Sequence, residues 1–218
     1  MALTETPSTL PAPTAPPLAA VGELVRPIAW AGERTLPVRS SVQGLFPGNG
    51  LRRGSTVLVA GSMSLVLASM AAASAEGSWC AVVGIPTLGA PAAAGIGIDL
   101  SRLVLVPDPG PQWAVVVAGL LDALDVVVVR SPGSARADVP RRLAARARER
   151  GAVLVVVPAA GGGLHWQADV HLRCESIHWD GLAQGCGRLR SQRLQVTATG
   201  RGAASRPRSA SVATVATS

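Results

Sequence analysis

The chain has 218 residues, enough for one domain with appended tails or for two very small domains. Its 20 basic residues are all arginines, against 13 acidic residues, so the net charge is +7 and every mechanism that needs a lysine is excluded, including the lysine of a phosphate-binding P-loop. Hydrophobic residues make up 48% of the chain with only one Phe and no Tyr, so the core must consist of Val, Leu, Ile and Ala, as in a buried parallel sheet.

Cysteine content and the amino terminus both indicate a reducing compartment. The number of cysteines is odd, which argues against a disulfide framework. No basic residue precedes Arg26, so the cationic start of a signal peptide is missing. Residues 55–75 and 77–98 are two uncharged stretches separated by Glu76, and each is long enough to raise the question of a membrane helix. Their Ser, Pro and Gly content argues against membrane helices. We therefore expect a cytoplasmic protein without a membrane segment.

The first three quarters of the chain alternate Val- and Leu-rich runs with helical stretches. Residues 1–20 are rich in Pro, Thr, Ala and Ser and predict a disordered tail, and a folded domain is expected over residues 21–199. The predicted strands are residues 57–60, 79–85, 103–106, 126–129 and 153–157, and the predicted helices are residues 62–75, 88–97, 113–124 and 137–150. This alternation is typical of right-handed βαβ units around a parallel sheet that is covered on both faces.

The pattern changes in the last quarter. Residues 168–177 and 188–199 alternate apolar and polar side chains with a period of two, and a Gly-rich turn lies between them. They predict antiparallel strands that extend one edge of the sheet. From Gly181 onward there are six arginines and no acidic residue. Residues 200–218 show no apolar periodicity and predict a basic, disordered tail.

Several short motifs follow one another in a recognisable order. A Gly-rich segment, residues 45–54, leads into the first strand and its final Gly61. The later motifs are GSWCAVV from Gly77, IDLSRL from Ile98, DVVVV from Asp125 and ADVHL from Ala168. Over residues 42–199 this order resembles the core of the RecA recombinase family. The resemblance implies a RecA-like, P-loop-type three-layer α/β sandwich with a mainly parallel central sheet and antiparallel edge strands.

The residues that would hydrolyse ATP in such a protein are degenerate here. A P-loop needs a Gly-rich turn that closes with Gly-Lys-Ser/Thr at the helix start. The corresponding residues are Gly61, Ser62, Met63 and Ser64. The resemblance places Arg130 where a carboxylate would hold Mg²⁺, and Pro86 near the position of the glutamate that would activate water. It therefore implies that the protein binds no cofactor and is not an enzyme.

Some of these positions have an ordinary structural interpretation beside a functional one. Residues 61–64 are either a plain turn into a capped helix or a residual anion site at the helix start. Arg130 is either a vestigial substitution or a cation that meets a partner or a phosphate beyond the carboxyl ends of the strands.

Histidines and cysteines in the last third of the chain raise the question of zinc. They are His165, His171, Cys174, His178 and Cys186. No pair has the short Cys-Cys spacing of structural zinc sites, and the odd separation of His171 and Cys174 puts them on opposite faces of a strand. We expect no bound metal.

The candidate interaction residues are basic or aromatic. They are Arg141, Arg142 and Arg146 on the basic helix, Arg201, Arg206 and Arg208 in the tail, and Trp166 and Trp179 near the edge strands. The helix is either a solvated face or a surface for phosphates or an acidic partner. The tail is either a tether or a segment that folds on a partner or on DNA. The tryptophans are either packing residues or interface anchors.

With its missing P-loop and its arginines in place of lysines, the chain resembles the ImuA and SulA-like group of degenerate RecA-like proteins. Within that group it is most similar to the actinobacterial ImuA-prime branch. This resemblance implies a non-catalytic accessory protein of a DNA-damage-induced (SOS) mutasome, acting in translesion synthesis and induced mutagenesis. Its implied partners are a Y-family polymerase homologue and an error-prone replicative-type polymerase. RecA, and weak DNA contact through the Arg-rich tail, are further candidates. The alternatives are a SulA-like regulator of cell division and a divergent DNA-dependent ATPase or recombinase.

Overall fold

The computed structural model of the chain describes residues 35–132, 136–159, 166–183 and 186–215. The predicted amino-terminal tail, residues 1–20, and the predicted start of the domain at residue 21 lie outside these ranges. The described part begins with a small antiparallel sheet, formed by β1 (Thr35–Pro37) and β2 (Gly50–Arg52) with helix α1 (Ser40–Gln43) between them.

A mixed eight-stranded sheet forms the centre of the fold. Its strands are β3 (Thr56–Ala60), β4 (Cys80–Val83), β5 (Leu103–Val106), β6 (Val126–Arg130), β7 (Val153–Val157), β8 (Val170–Ala183), β9 (Cys186–Gly200) and β10 (Arg208–Val215). The helices between them are α2 (Met63–Ala75), α3 (Ala90–Gly95), α4 (Trp113–Ala123) and α5 (Val139–Arg150). Across the sheet the order is β5-β4-β6-β7-β3-β8-β9-β10, parallel from β5 to β8 and antiparallel beyond.

The valines of β6 show how the sheet is covered on both faces. Successive side chains of a strand point to opposite faces. Val126 and Val128 pack in the core that includes α2, whereas Val127 and Val129 pack in the core that includes α4 and α5. All four are buried, which is why this strand contains no polar alternation. The predicted three-layer α/β arrangement with a mainly parallel sheet is thereby confirmed.

The predicted antiparallel edge strands are also confirmed, and they are longer than the sequence indicated. β8 runs to Ala183 and β9 starts at Cys186, so the strands include most of the predicted Gly-rich turn. β3 pairs with β8 only as far as Arg173. Beyond that residue the hairpin projects past the carboxyl end of β3. We call this projection, residues 174–183 and 186–195, the hairpin arm.

The segment predicted as a disordered tail, residues 200–218, is instead largely ordered as an edge strand. After a single 3-10 turn at Gly202–Ala204, β10 pairs with β9 from Arg208 to Val215. Val212 and Thr214 are buried on the side of the main core, whereas the serines of β10 are exposed. The period-two pattern exists, but Ser, Ala and Thr give it little contrast in hydrophobicity. Residues 216–218 lie outside the described ranges.

The described residues include no helix that is long and apolar enough to cross a membrane. The first uncharged stretch noted in the sequence forms β3 and α2, and the second forms β4 and α3. Each stretch is therefore divided between a strand and a helix, as its Ser, Gly and Pro content indicated.

Candidate functional site

The turn between β3 and α2 lies where the RecA resemblance would put nucleotide phosphates. It consists of only two residues, Gly61 and Ser62, since Met63 and Ser64 already belong to α2. The Ser62 hydroxyl accepts a hydrogen bond from the backbone N–H of Leu65 at 3.3 Å and so caps the helix. One of the free N–H groups at the helix start is therefore satisfied within the chain. The local geometry is that of a plain strand-to-helix turn.

Strand β8 lies directly beside this turn. Gly61 has a φ of 93°, and a Cβ at this position would stand 2.8 Å from the Cys174 carbonyl oxygen and 3.1 Å from the Cys174 Cβ. Only glycine fits both the backbone conformation and this contact. The β8 backbone therefore packs directly against this turn.

Arg130 and Pro86 lie at the carboxyl ends of neighbouring parallel strands. Arg130 is the last residue of β6, and its side chain is exposed. Its backbone passes the end of β4, where a Cβ on Gly84 would stand 3.5 Å from the Arg130 carbonyl oxygen. Pro86 is exposed two residues further on. This edge of the sheet therefore presents a cation and a proline at the two positions where the RecA resemblance would put carboxylates.

One side of the basic helix α5 is engaged in ion pairs, two of them with Asp122 of α4 and one with Asp138 at the start of α5 itself. Arg146 donates from Nε to Asp122 Oδ1 at 2.7 Å, and its Nη2 contacts the other oxygen of the same carboxylate. Arg150 donates to Asp122 Oδ1 at 3.1 Å, and Arg142 lies 3.6 Å from Asp138. The hydrogen bond from Arg146 is the main cause that lowers the pKa of Asp122. Two of the predicted interaction residues, Arg142 and Arg146, thus already have acidic partners.

The other side of α5 faces the segments before β8 and after β9. Here the exposed side chains of Arg141 and Arg148 lie around a depression of about 200 Å³, which we call the arginine pocket. Its lining residues are Pro140, Arg141, Ala144, Arg148, Gln167 and Arg201. Arg201 donates to the Gln167 carbonyl oxygen at 2.8 Å. Arg141 and Arg201 are among the interaction residues predicted from the sequence and Arg148 is not, although a spacing of seven residues puts Arg141 and Arg148 on one side of a helix.

The two remaining candidate arginines do not line this pocket. Arg206 is exposed, and Arg208 is half-buried and donates to the Ala203 carbonyl oxygen at 3.4 Å. Because Arg208 starts the ordered strand β10, it does not belong to a free tail.

The two candidate tryptophans have opposite environments. Trp166 is buried in the core beneath α4 and α5, and its Nε1–H donates to the Ser131 hydroxyl at 3.1 Å. It is a packing residue, so its assignment as an interface anchor is wrong. Trp179 lies on the hairpin arm and is 47% exposed, and nearby Ile177 is 41% exposed. These two residues form an apolar surface on the part of the arm whose side chains the structure describes.

The histidines and cysteines do not converge within the part of the chain that the structure describes, where no three His, Cys, Asp or Glu side chains form a group that could hold a metal ion. His171 and Cys174 pair with Thr199 and Val196, on opposite faces of β8. His165 and the side chain of Cys186 lie outside the described residues.

The fold and these positions define a mainly parallel α/β protein whose first central strand ends in a short turn that is capped by Ser62. The chain belongs to the MT3502 N-terminal domain family, whose model matches residues 44–167. The match covers β2 to β7 and therefore the parallel part of the sheet except β8, together with helices α2 to α5.

A relative in Mycobacterium tuberculosis (strain ATCC 25618 / H37Rv) is named Uncharacterized protein Rv3395c. It is 35% identical to this chain over 156 residues, which is 68% of this chain and 74% of that protein. Its name states no activity, and the identity indicates common ancestry.

Proposed function

We propose that this chain is a non-catalytic accessory protein of a DNA-damage-induced (SOS) mutasome, which positions translesion polymerases through protein–protein contacts in the cytoplasm. The proposal follows the resemblance to the RecA core and, within it, to the ImuA-prime type of the ImuA and SulA-like group. The proposed partners are a Y-family polymerase homologue and an error-prone replicative-type polymerase, with RecA as a further partner.

The observation that best supports a non-catalytic role is the two-residue connection between β3 and α2. Hydrolysis of ATP needs backbone N–H groups and a lysine around the phosphates, and a carboxylate-bound Mg²⁺ beside them. Here Ser62 caps the helix, the chain has no lysine, and Arg130 stands at the end of β6. The sheet that would support a nucleotide site is retained while the groups that would perform the chemistry are replaced.

We propose that the Y-family polymerase homologue binds to the hairpin arm. Ile177 and Trp179 are exposed apolar side chains two residues apart on one strand, opposite Leu194 and Gln192 in the pairing with β9. Exposed tryptophans flanked by apolar residues are frequent energetic centres of protein interfaces. Beyond Arg173 the outer edge of β8 also has no neighbouring strand among the described residues, which leaves backbone groups for a partner.

A pull-down with the purified Y-family polymerase homologue tests both parts of the proposal. The wild-type chain is expected to retain the polymerase, and the I177A/W179A variant to bind it at least about tenfold more weakly. The matched control is V115A, since Val115 is an exposed apolar residue on α4, away from the arm. Equal binding by I177A/W179A and V115A overturns the assignment to the arm. Lack of association of the wild-type chain with either polymerase or with RecA overturns the function.

The two alternative functions predict different results with the same chain. A divergent ATPase predicts ATP turnover that single-stranded DNA stimulates, and a SulA-like regulator predicts filamentous cells on overexpression. We expect neither result. Instead, deletion of the gene should abolish damage-induced mutagenesis while cell length stays normal.

A further inference from the structure

Arg141 and Arg148 lie on the side of α5 that does not contact α4. Seven residues span about 10 Å along a helix and nearly two full turns, so the two guanidinium groups project from the same side. Neither forms an ion pair within the described ranges, whereas the arginines on the other side, Arg142, Arg146 and Arg150, all do. Two cations that project from one side of a helix and are not engaged in ion pairs attract an anion from solution.

The backbone of this side of α5 is held in place by its surroundings. A Cβ on Gly54 would stand 3.1 Å from the Arg148 Cα, so the turn between β2 and β3 packs directly on the helix. Gly54 also donates its N–H to the Ala152 carbonyl oxygen at 3.1 Å, just after the helix ends. The two arginines therefore project from a fixed segment.

Arg201 completes the pocket from the opposite side. Its Nη2 donates to the Gln167 carbonyl oxygen at 2.8 Å and lies 3.9 Å from Asp169 Oδ1. A guanidinium has five N–H donors, so most of them stay free for a ligand. Asp169 does not line the arginine pocket, and none of the six lining residues is acidic.

The size of the pocket limits the ligand. Its volume of about 200 Å³ is below the roughly 300–1,000 Å³ of sites that enclose whole small molecules. The cationic surface also continues past the pocket, because a second depression of about 190 Å³ shares Arg201 and is lined by the exposed Arg52, as well as by Asp169. Separate cations along one surface suit a chain of repeated anions better than one isolated anion.

We propose that the arginine pocket binds phosphate groups of a nucleic-acid backbone. Arginine forms bidentate hydrogen bonds with phosphate oxygens, and the spacing of about 10 Å between Arg141 and Arg148 lets the two side chains contact different phosphates of one backbone. The pocket lies next to the amino end of β8, whereas Gly61 and Arg130 lie at the carboxyl ends of their strands. The site is therefore separate from the degenerate nucleotide position, and the inference does not rest on the proposed function.

Fluorescence anisotropy with labelled 20-nucleotide DNA, single-stranded and duplex, tests the site on the full chain. The R141Q/R148Q variant is expected to bind at least about tenfold more weakly at low salt. Two lost phosphate contacts should also reduce the slope of log affinity against log salt by about 1.4 for the single strand. The matched control is R142Q/R150Q, which removes the same charge from the other side of α5 and should change affinity less than about threefold. Unchanged melting temperatures establish that both variants are folded.

Three outcomes overturn the inference. In the first, the wild-type chain binds neither the single-stranded nor the duplex DNA at low salt. In the second, both double variants lose affinity equally, which would show that only net charge matters. In the third, poly-glutamate binds with the same dependence on Arg141 and Arg148 while DNA does not bind. The third outcome assigns the pocket to an acidic protein partner. Loss of DNA binding by R141Q/R148Q with intact polymerase association separates this site from the hairpin arm, so the two proposals fail independently.

Discussion

Arg53 and Asp125 form an ion pair in which Nη1 of the arginine lies 2.9 Å from Oδ1 of the aspartate. The Asp125 side chain is only 6% exposed, and its Oδ2 accepts a second hydrogen bond from the backbone N–H of Trp79 at 3.0 Å. The pair therefore ties the turn before β3 to the start of β6 and to the residue before β4. One carboxylate therefore links the amino ends of the neighbouring strands β4 and β6 with that of β3, which lies beyond β7 in the same sheet.

Substitution of Asp125 by alanine is expected to destabilise the fold by about 3 kcal/mol, because it leaves a largely buried Arg53 without its counter-ion. The D125A/R53M variant should recover part of this loss, since an apolar side chain replaces the unpaired charge. Recovery should be incomplete because the Trp79 N–H still lacks its acceptor. Urea denaturation measures the free energy of unfolding of the wild type, D125A and D125A/R53M. A D125A variant as stable as the wild type would show that the pair contributes nothing.

Substitution of Gly61 by alanine should destabilise the fold more than the same substitution at Gly97. The two glycines have nearly equal φ angles, 93° and 92°, but nothing lies within 4 Å of a Cβ on Gly97, whereas the Cys174 carbonyl oxygen lies 2.8 Å from one on Gly61. We expect a loss of about 1 kcal/mol for G97A from the backbone conformation alone, and about 1 to 3 kcal/mol more for G61A from overpacking. Equal losses in thermal or urea unfolding would contradict the close approach of β8.

The parallel part of the fold follows directly from the sequence. Runs of Val and Leu such as residues 126–129 and Val153–Val157 suit strands that are buried on both faces, and the helices between the strands have the lengths that βαβ units require. β10 escaped prediction because its alternating residues are Ser, Ala and Thr, whose burial depends on what packs over them. β10 forms because it packs against the core, and the local sequence pattern does not reveal that contact.

The candidate site shows a similar division between local and tertiary information. The missing lysine and the shortened turn at Gly61 are visible in the sequence, since they depend on residue type and spacing. The position of α4 determines which arginines of α5 form ion pairs, since Asp122 on α4 pairs with Arg146 and Arg150. Likewise, Trp166 and Trp179 look equivalent in the sequence, and only the fold buries one and exposes the other.

The interaction of Asp122 with Arg146 makes part of the stability depend on acid pH. Because the pKa of Asp122 is lowered in the folded chain, its contribution is fully present above the usual carboxyl pKa of about 3.9 and is lost as pH falls through the lower folded value. D122N is therefore expected to be less stable than the wild type at pH 7 and about equally stable near pH 2. Urea midpoints across this range measure the difference. Because the side chains of Asp122 and Arg146 are both partly exposed, 1 M NaCl should reduce the difference in stability between D122N and the wild type. A difference that is independent of pH would contradict the ion pair.

Cys80 should make the fold less stable at alkaline pH. Burial, with a further contribution from the Asp125 carboxylate, raises the pKa of this thiol to about 12. Between the usual thiol pKa of about 8.5 and this value the unfolded chain loses the proton and the folded chain keeps it, so stability falls as pH rises. The slope should be smaller in C80A, although cavity formation lowers the stability of that variant at every pH. Urea unfolding from pH 7 to 10 measures both slopes, and parallel curves for the two chains would show that Cys80 ionises equally in both states.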